Sequence, residues 1–253
     1  MQNQTVLITG ATAGIGEACA RRFAQLGARL ILTGRREARL NALRAELGEG
    51  RVHCLAFDMT DKAQLSRAVE SLPPDFQEVT VLVNNAGAAY GMEPAWEADI
   101  EEWETMVELN ITSLLRITRK ILPGMVERNR GHIVNIGSVA GTYPYPGGNV
   151  YGGTKAFIEQ FSHNLRCDLH GKDIRVTNIE PGMVETEFSV IRFRGDKDKA
   201  DSVYQGVDAM TADDIAEAVI WSVSVPQRMN INRIEMMATH QTAAGFRVER
   251  RAE

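Results

Sequence analysis

Cysteine is scarce in this chain and follows no redox or metal-binding pattern. The 253 residues contain three cysteines, at positions 19, 54 and 167. None of them stand in the Cys-x-x-Cys spacing of redox or zinc motifs, and an odd number cannot pair completely within one chain. Reduced thiols of this kind are typical of the cytosol. We therefore expect a cytoplasmic protein without a disulfide framework and without a metal site.

Long apolar runs and clusters of like charge are also lacking. No apolar segment approaches the roughly 18 residues of a membrane span, and no signal sequence pattern follows Met1. The formal net charge is -5 and no long basic run occurs, which argues against nucleic acid or an anionic membrane as a partner. Any anionic ligand must be bound by local positive groups.

Apolar strand patterns alternate with helical patterns along the chain. Aromatic residues make up 6% and apolar residues 44%, so the core should be large and aliphatic. The patterns predict an α/β fold, a single doubly wound Rossmann-type domain over residues 1–253 with helices on both faces of a central parallel sheet of about seven strands. The predicted strands are 5–9, 29–33, 52–57, 80–83, 132–136, 175–179 and 232–236. The predicted helices run from the first turn to 26 and over 37–47, 61–72, 99–122, 151–169 and 212–223.

Two segments follow no regular pattern. Residues 183–204 read as a long loop, and loops of that length in compact domains often close over a binding site. The tail from residue 243 has no clear period, and its Arg250 and Arg251 could reach a neighbouring subunit. Pro123 and Gly124 are expected to end the helix that begins near Asp99.

A glycine-rich turn joins the first strand to the first helix. Its glycines stand at 10, 14 and 16, which is not the Gly-x-Gly-x-x-Gly spacing but allows backbone N–H groups and the helix dipole to approach a pyrophosphate. A tight turn without a ligand is the structural alternative. The candidate cofactor residues of this turn are Thr9, Gly10, Ala11, Thr12, Ala13, Gly14, Ile15 and Gly16.

Arginines replace the expected acidic residue after the second strand. An NAD-binding unit places an acid against the ribose 2'-hydroxyl roughly 20 residues after the turn, whereas arginine can bind a 2'-phosphate. Arg35 and Arg36 occupy this point and favour NADP(H), unless they only begin the surface helix that follows. Asp58 and Met59, after the third strand, could flank the adenine. Small and amide residues follow the fourth strand and suit a ligand crevice: Asn85, Ala86 and Gly87.

Tyr151 and Lys155 stand one helical turn apart, so both side chains can point into one pocket. A nearby cation should lower the tyrosine pKa from about 10 and make Tyr151 usable as a proton donor and acceptor, although the spacing could be coincidental. Ser138 precedes Tyr151 by 13 residues at the end of the fifth strand, where strand end and helix start can converge. Asn110 lies mid-helix, either as a solvated position or as a residue that kinks the helix and holds a water.

Together these motifs, with Pro181-Gly182, resemble the short-chain dehydrogenase/reductase family over residues 5–187. The closer likeness is to its NADP-dependent 3-hydroxy acid dehydrogenases, which act on serine and allo-threonine and reduce malonic semialdehyde. Sulfoacetaldehyde reductases of the same family share much of this pattern. The segments that carry the closer likeness are 91–95, 147–151, 168–171, 192–196 and 230–232.

The resemblance implies hydride transfer between the nicotinamide C4 and an alcohol carbon. It implies that Tyr151 is the acid/base, that Lys155 holds the nicotinamide ribose and lowers the Tyr151 pKa, that Ser138 hydrogen-bonds the substrate oxygen, and that Asn110 orders a water. It assigns the nicotinamide carboxamide to Pro181, Gly182, Val184 and Thr186. It also implies a homotetramer assembled through the helices around 102–122 and 151–169. One departure is Gly152-Gly153, where relatives more often carry a β-carbon.

The substrate is expected to be a small anionic alcohol or aldehyde. A guanidinium binds a carboxylate or sulfonate bidentately, so Arg192 or Arg194, in the basic centre of the 183–204 loop, could bind it together with Ser138 and Tyr151. A merely solvated loop is the alternative. The main hypothesis is NADP-dependent interconversion of a small 3-hydroxy acid and its 3-oxo acid or semialdehyde, with reduction of sulfoacetaldehyde or another short anionic aldehyde as the second. A catalytically silent NADP-binding regulator is a third, but it would be expected to have lost Ser138, Tyr151 or Lys155.

Overall fold

Seven parallel strands form the central sheet of the computed structural model, which describes residues 1–243. The strands are β1 Thr5–Ile8, β2 Arg29–Gly34, β3 Val52–Ala56, β4 Val81–Asn84, β5 Gly131–Ile136, β6 Ile174–Pro181 and β9 Arg233–Met236. Their order is β3-β2-β1-β4-β5-β6-β9, so the winding direction reverses between β1 and β4. A crevice for a ligand opens at the carboxyl ends of strands at such a reversal. A separate two-stranded pair consists of β7 Val184–Glu185 and β8 Met210–Thr211.

Helices cover both faces of this sheet. They are α1 Gly14–Gln25, α2 Glu37–Leu47, α3 Lys62–Glu70, α4 Ile100–Val107, α5 Ser113–Glu127, α6 Asn149–Asp168, α7 Phe188–Arg192, α8 Lys197–Ser202 and α9 Ala212–Ser224. One core contains buried side chains of α1, α2 and α9, and a second contains those of α3, α5 and α6. Within residues 1–243, no helix is long and apolar enough to cross a bilayer.

Continuous apolar runs form the inner strands because both faces are covered. In β1, Val6 and Ile8 belong to one core and Leu7 to the other, and all three are fully buried. The prediction of a doubly wound parallel sheet of seven strands is therefore confirmed.

The helix predicted to end at Pro123 and Gly124 continues to Glu127. Proline removes one N–H, but Ile121 and Met125 pack into the core on either side of it and hold the turn in place. The helix ends instead before Asn129, whose φ is 47°, with the Arg130 amide bonded to the Met125 carbonyl. The prediction of the end at Pro123 was wrong.

The 183–204 segment is not an open loop. It contains β7, α7 and α8, and β7 pairs with β8 in parallel. Short elements of two to six residues carry too little periodicity to be read from a sequence, which explains the difference. Arg250 and Arg251 lie outside the described residues.

Candidate active site

A cleft of about 510 Å³ lies at the carboxyl ends of the central strands. Most of the residues predicted for the cofactor and for catalysis line it together, although they come from seven separate stretches of the chain. They are Gly10, Thr12, Ala13, Gly14, Ile15, Arg35, Arg36, Asp58, Met59, Asn85, Ala86, Gly87, Ser138, Tyr151, Lys155, Pro181, Gly182 and Thr186.

The glycine turn presents the start of α1 to this cleft. Gly10 and Gly14 adopt φ of 67° and 52°, and a β-carbon at Gly16 would collide with the Gly10 carbonyl oxygen, so side chains are poorly tolerated at these points. The residue that precedes the helix, Ala13, makes no capping bond with its side chain. The first N–H groups of α1 are therefore open to an anion, which fits a dinucleotide pyrophosphate.

Thr9, Ala11 and Gly16 are buried beneath the turn rather than facing the cleft. The Thr9 hydroxyl accepts the backbone N–H groups of Asn85 and Ala86, at 3.0 Å each. The Asn85 amide in turn donates to the Thr9 and Gly10 carbonyls. These bonds hold the glycine turn against the end of β4, so Asn85 has a structural role.

Two arginines and a glutamate meet beside the glycine turn, at one end of the cleft. Arg36 donates to the Thr12 hydroxyl from Nε and Nη2 and to the Glu187 carboxylate from Nη1, at 2.7 Å. Arg39, which the sequence analysis missed, also donates to Glu187 at 2.7 Å; its only sequence signal is its place one helical turn after Arg36. Arg35 remains 70% exposed, 3.9 Å from Asp58.

Ser138, Tyr151 and Lys155 converge at the other end. The Lys155 ammonium donates to the Ile136 carbonyl at 2.8 Å and lies 5.7 Å from the centroid of the Tyr151 ring. Ser138 accepts the Ala140 N–H and donates to the Pro181 carbonyl. The Tyr151 and Lys155 side chains are buried, so one turn of α6 delivers both into the pocket as the spacing predicted.

Burial dominates the electrostatics of this pair. It raises the pKa of Tyr151 to about 12, against the opposing effects of the Ser138 hydroxyl and the Arg192 guanidinium. Burial also lowers the pKa of Lys155 to about 8. The expectation that the Tyr151 pKa is lowered was wrong for this structure, because desolvation disfavours both charged forms and the ammonium is bonded to a backbone carbonyl.

Asn110 is buried in a π-helical turn, Glu108–Thr112, which joins α4 to α5. Its amide donates to the Ala88 carbonyl and the Thr154 hydroxyl and accepts the Ala88 N–H. The solvated alternative was therefore wrong, and a π-helical turn interrupts the helix at Asn110. The wide turn aims the Asn110 amide at the strand end beside Lys155.

The structure separates the two candidate substrate arginines. The Arg192 guanidinium lies 5.6 Å from the Tyr151 ring centroid and donates to the Tyr145 hydroxyl and the Gly91 carbonyl. Arg194 instead pairs with Glu102 and Glu93 and holds the pKa of Glu93 to about 2. Only Arg192 adjoins the tyrosine.

Several cleft residues were not predicted from the sequence. Phe188 packs on the Tyr151 ring with centroids 5.7 Å apart. The others include Thr60, Tyr90, Thr105, Leu109, Glu187 and Ile191. No local motif marks these residues, since they reach the cleft by tertiary packing.

Val184 was predicted to contact the cofactor. In the structure its backbone carbonyl accepts a hydrogen bond from the Tyr204 hydroxyl.

Comparison with known proteins agrees with this geometry. The family model described as short chain dehydrogenase matches residues 4–196. The chain is 55% identical over 246 residues to the NADP-dependent 3-hydroxy acid dehydrogenase YdfG of Salmonella typhi, covering 97% of this chain and 99% of that one. It is 52% identical to the serine 3-dehydrogenase of Agrobacterium fabrum, covering 97% and 98%. The solved closed form of a serine dehydrogenase complexed with NADP+ superposes with a TM-score of 0.96 at 53% identity, covering 98% and 100%.

Proposed function

The chain belongs to the short-chain dehydrogenase family, and from this premise we propose that it interconverts a small 3-hydroxy acid and its 3-oxo acid or semialdehyde. It is an NADP-dependent oxidoreductase that acts on CH–OH groups. The substrates proposed are of the serine, allo-threonine and 3-hydroxypropionate type, since its relatives are named for 3-hydroxy acids and serine.

The residues of the cleft fit NADP(H). The open N-terminus of α1 suits the pyrophosphate, and Arg35 and Arg36 suit a 2'-phosphate. Asp58 and Met59, which line the cleft, are proposed to flank the adenine. Pro181, Gly182, Val184 and Thr186 are proposed for the carboxamide end. The bound cofactor supplies or accepts the hydride.

The convergence of Ser138, Tyr151, Lys155 and Arg192 carries the proposal. Tyr151 can take the hydroxyl proton during oxidation or return it during reduction, with Ser138 donating to the substrate oxygen. Lys155 supplies positive charge beside the phenol, and Asn110 is proposed to hold a water that links Lys155 to solvent. Arg192 is proposed to bind the substrate carboxylate, because its guanidinium adjoins the tyrosine. Arg194 is engaged by two carboxylates.

An initial-rate screen with NADP tests the proposal. The panel is serine, allo-threonine, 3-hydroxypropionate, 3-hydroxyisobutyrate and isethionate. We expect the highest kcat/KM among the 3-hydroxy acids. Faster turnover of isethionate, or of sulfoacetaldehyde with NADPH, would favour the anionic-aldehyde reductase, because Arg192 can bind a sulfonate equally well. Cofactor binding without turnover of any member would favour the silent regulator.

We also propose a single NADP-binding domain over 1–253 in which the 183–204 segment binds the substrate. A cytoplasmic homotetramer, without nucleic acid or membrane partners, follows from the resemblance and from the composition. Its contacts would use the helices around 102–122 and 151–169, near which Ile100, Val107 and Phe157 are exposed. Sedimentation velocity would measure the number of subunits.

A further inference from the structure

Glu187 places a negative charge where a 2'-phosphate would need positive charge. It follows Thr186 on the segment between β7 and α7 and lines the cleft. Its two carboxylate oxygens accept one N–H each from Arg36 and Arg39, at 2.7 Å. These two arginines precede Glu187 by 151 and 148 residues in the chain. The pairing also lowers the pKa of Glu187, so the carboxylate is ionised at neutral pH.

Each of the three nitrogens of the Arg36 guanidinium already donates to a protein group. Nε and Nη2 donate to Thr12, and Nη1 donates to Glu187. A phosphate that is to be bound bidentately by Arg36 needs two adjacent N–H groups. It must therefore draw Arg36 away from Glu187 or lie beside the carboxylate, and like charges at that distance repel each other. In both cases the Glu187 charge opposes the phosphate.

We propose that Glu187 is a specificity-determining residue that competes with the cofactor 2'-phosphate for Arg36 and Arg39 and thereby limits the preference for NADP over NAD. The inference rests on the proposed role of Arg36 in binding that phosphate. Its effect is confined to ligands with a 2'-phosphate, because the 2'-hydroxyl of NAD carries no charge for Glu187 to repel.

The test compares Glu187→Gln with the wild type and with Glu185→Gln. Gln keeps the size of the side chain and removes the charge, while Glu185 lies two residues away on the same segment and is exposed. Dissociation constants are measured by isothermal titration calorimetry for NADPH, NADH, adenosine 2',5'-bisphosphate and 5'-AMP. The two adenosine ligands probe the arginine site without the nicotinamide half of the cleft.

For Glu187→Gln we expect NADPH and adenosine 2',5'-bisphosphate to bind on the order of fivefold more tightly. NADH and 5'-AMP should bind as before, and Glu185→Gln should change none of the four. The gain should shrink at about 0.5 M salt, since both arginines are partly exposed.

Two results would overturn the proposal. If Glu187→Gln leaves the ratio of the NADPH and NADH dissociation constants unchanged, Glu187 does not compete with the phosphate. If it weakens all four ligands alike, Glu187 instead acts as a clasp that closes the cleft. Arg36→Ala separates these results from a failure of the premise. If Arg36→Ala weakens the preference for NADPH over NADH and Glu187→Gln does not alter it, only the proposed role of Glu187 fails. If Arg36→Ala leaves this preference unchanged, the proposed roles of both residues are refuted.

Discussion

At the residue scale, the surroundings of Tyr151 determine its chemistry more than its spacing from Lys155 does. Both side chains are buried, and burial raises the pKa of the phenol while it lowers that of the ammonium. The neutral phenol that results suits proton donation during reduction. Oxidation requires the phenolate, which positive charge from Lys155, Arg192 or the oxidised nicotinamide ring would favour.

Tyr151→Phe should abolish turnover and leave cofactor binding nearly intact. The substitution removes only the hydroxyl, and the ring can still pack against Phe188. We expect kcat to fall by at least about a thousandfold and the NADPH dissociation constant to change by less than about threefold. Lys155→Ala should impair both quantities, because Lys155 lines the cofactor cleft as well. Steady-state kinetics and calorimetric titration measure them, and residual kcat near the wild-type value in Tyr151→Phe would refute its role.

Arg192→Ala and Arg194→Ala form a matched pair of variants, because the two arginines are two residues apart in the sequence but have different contacts. Arg192 adjoins Tyr151, whereas Arg194 pairs with Glu93 and Glu102. We expect Arg192→Ala to raise KM for a 3-hydroxy acid by roughly tenfold or more, the loss of one charge-assisted pair. Arg194→Ala should change KM much less. Equal KM values for wild type and Arg192→Ala would remove Arg192 from the substrate site.

At the element scale, two features of the helices shape the site. The π-turn at Glu108–Thr112 turns the Asn110 amide toward Ala88 and Thr154. The first turns of α6 contain adjacent glycines directly after Tyr151, which weaken the helix that carries both Tyr151 and Lys155. The two glycines nevertheless differ in their surroundings.

Gly153→Ala should stabilise the protein, and Gly152→Ala should not. A β-carbon at Gly153 meets nothing within 4 Å, while one at Gly152 would lie 2.9 Å from the Ala140 carbonyl oxygen. We expect Gly153→Ala to raise the free energy of unfolding by about 0.5 to 1 kcal/mol with kcat unchanged. Gly152→Ala should lower Tm and kcat, because Ala140 is bonded to Ser138. Thermal unfolding and kinetics check both, and stabilisation by Gly152→Ala would contradict this account.

At the scale of the whole molecule, an ionic cluster ties the edge strand to the rest of the fold. Arg233 of β9 pairs with Glu180 of β6, Glu159 of α6 and its neighbour Glu235. Glu180 is buried and immediately precedes Pro181, whose carbonyl accepts the Ser138 hydroxyl. Burial, reinforced by the charge of Glu159, raises the pKa of Glu180 to about 7.

Glu180 should make stability depend on pH. The folded-state pKa of Glu180 lies above the unfolded value. The contribution of Glu180 to the free energy of unfolding is therefore fully present below about pH 4.5 and is lost as the pH rises through about 7. Glu180→Gln imitates the protonated form, so its stability relative to wild type should increase between pH 5 and pH 8, by an order of 2 to 3 kcal/mol. Denaturant unfolding at both values measures this, with Glu185→Gln as the control. A relative stability that is the same at both values would contradict the prediction.

Most of the fold could be predicted because its signals are local. The seven strands, the glycine turn and the helix over Glu37–Leu47 follow from apolar periodicity and glycine placement within a few residues. The exceptions also have local causes. The helix continues through Pro123 because packing of Met125 outweighs one lost hydrogen bond, and the elements of 183–204 are too short to show a period.

The sequence by itself determined the fold class, the family, and many of the residues that meet in the cleft, because motif spacing on alternating strands and helices specifies which ends converge. Only the tertiary structure gave Arg192 and Arg194 different surroundings, reversed the expected shift of the Tyr151 pKa, and brought Glu187 against Arg36 and Arg39. These outcomes depend on desolvation and on contacts between residues more than 40 positions apart in the chain, and no local pattern encodes either of them.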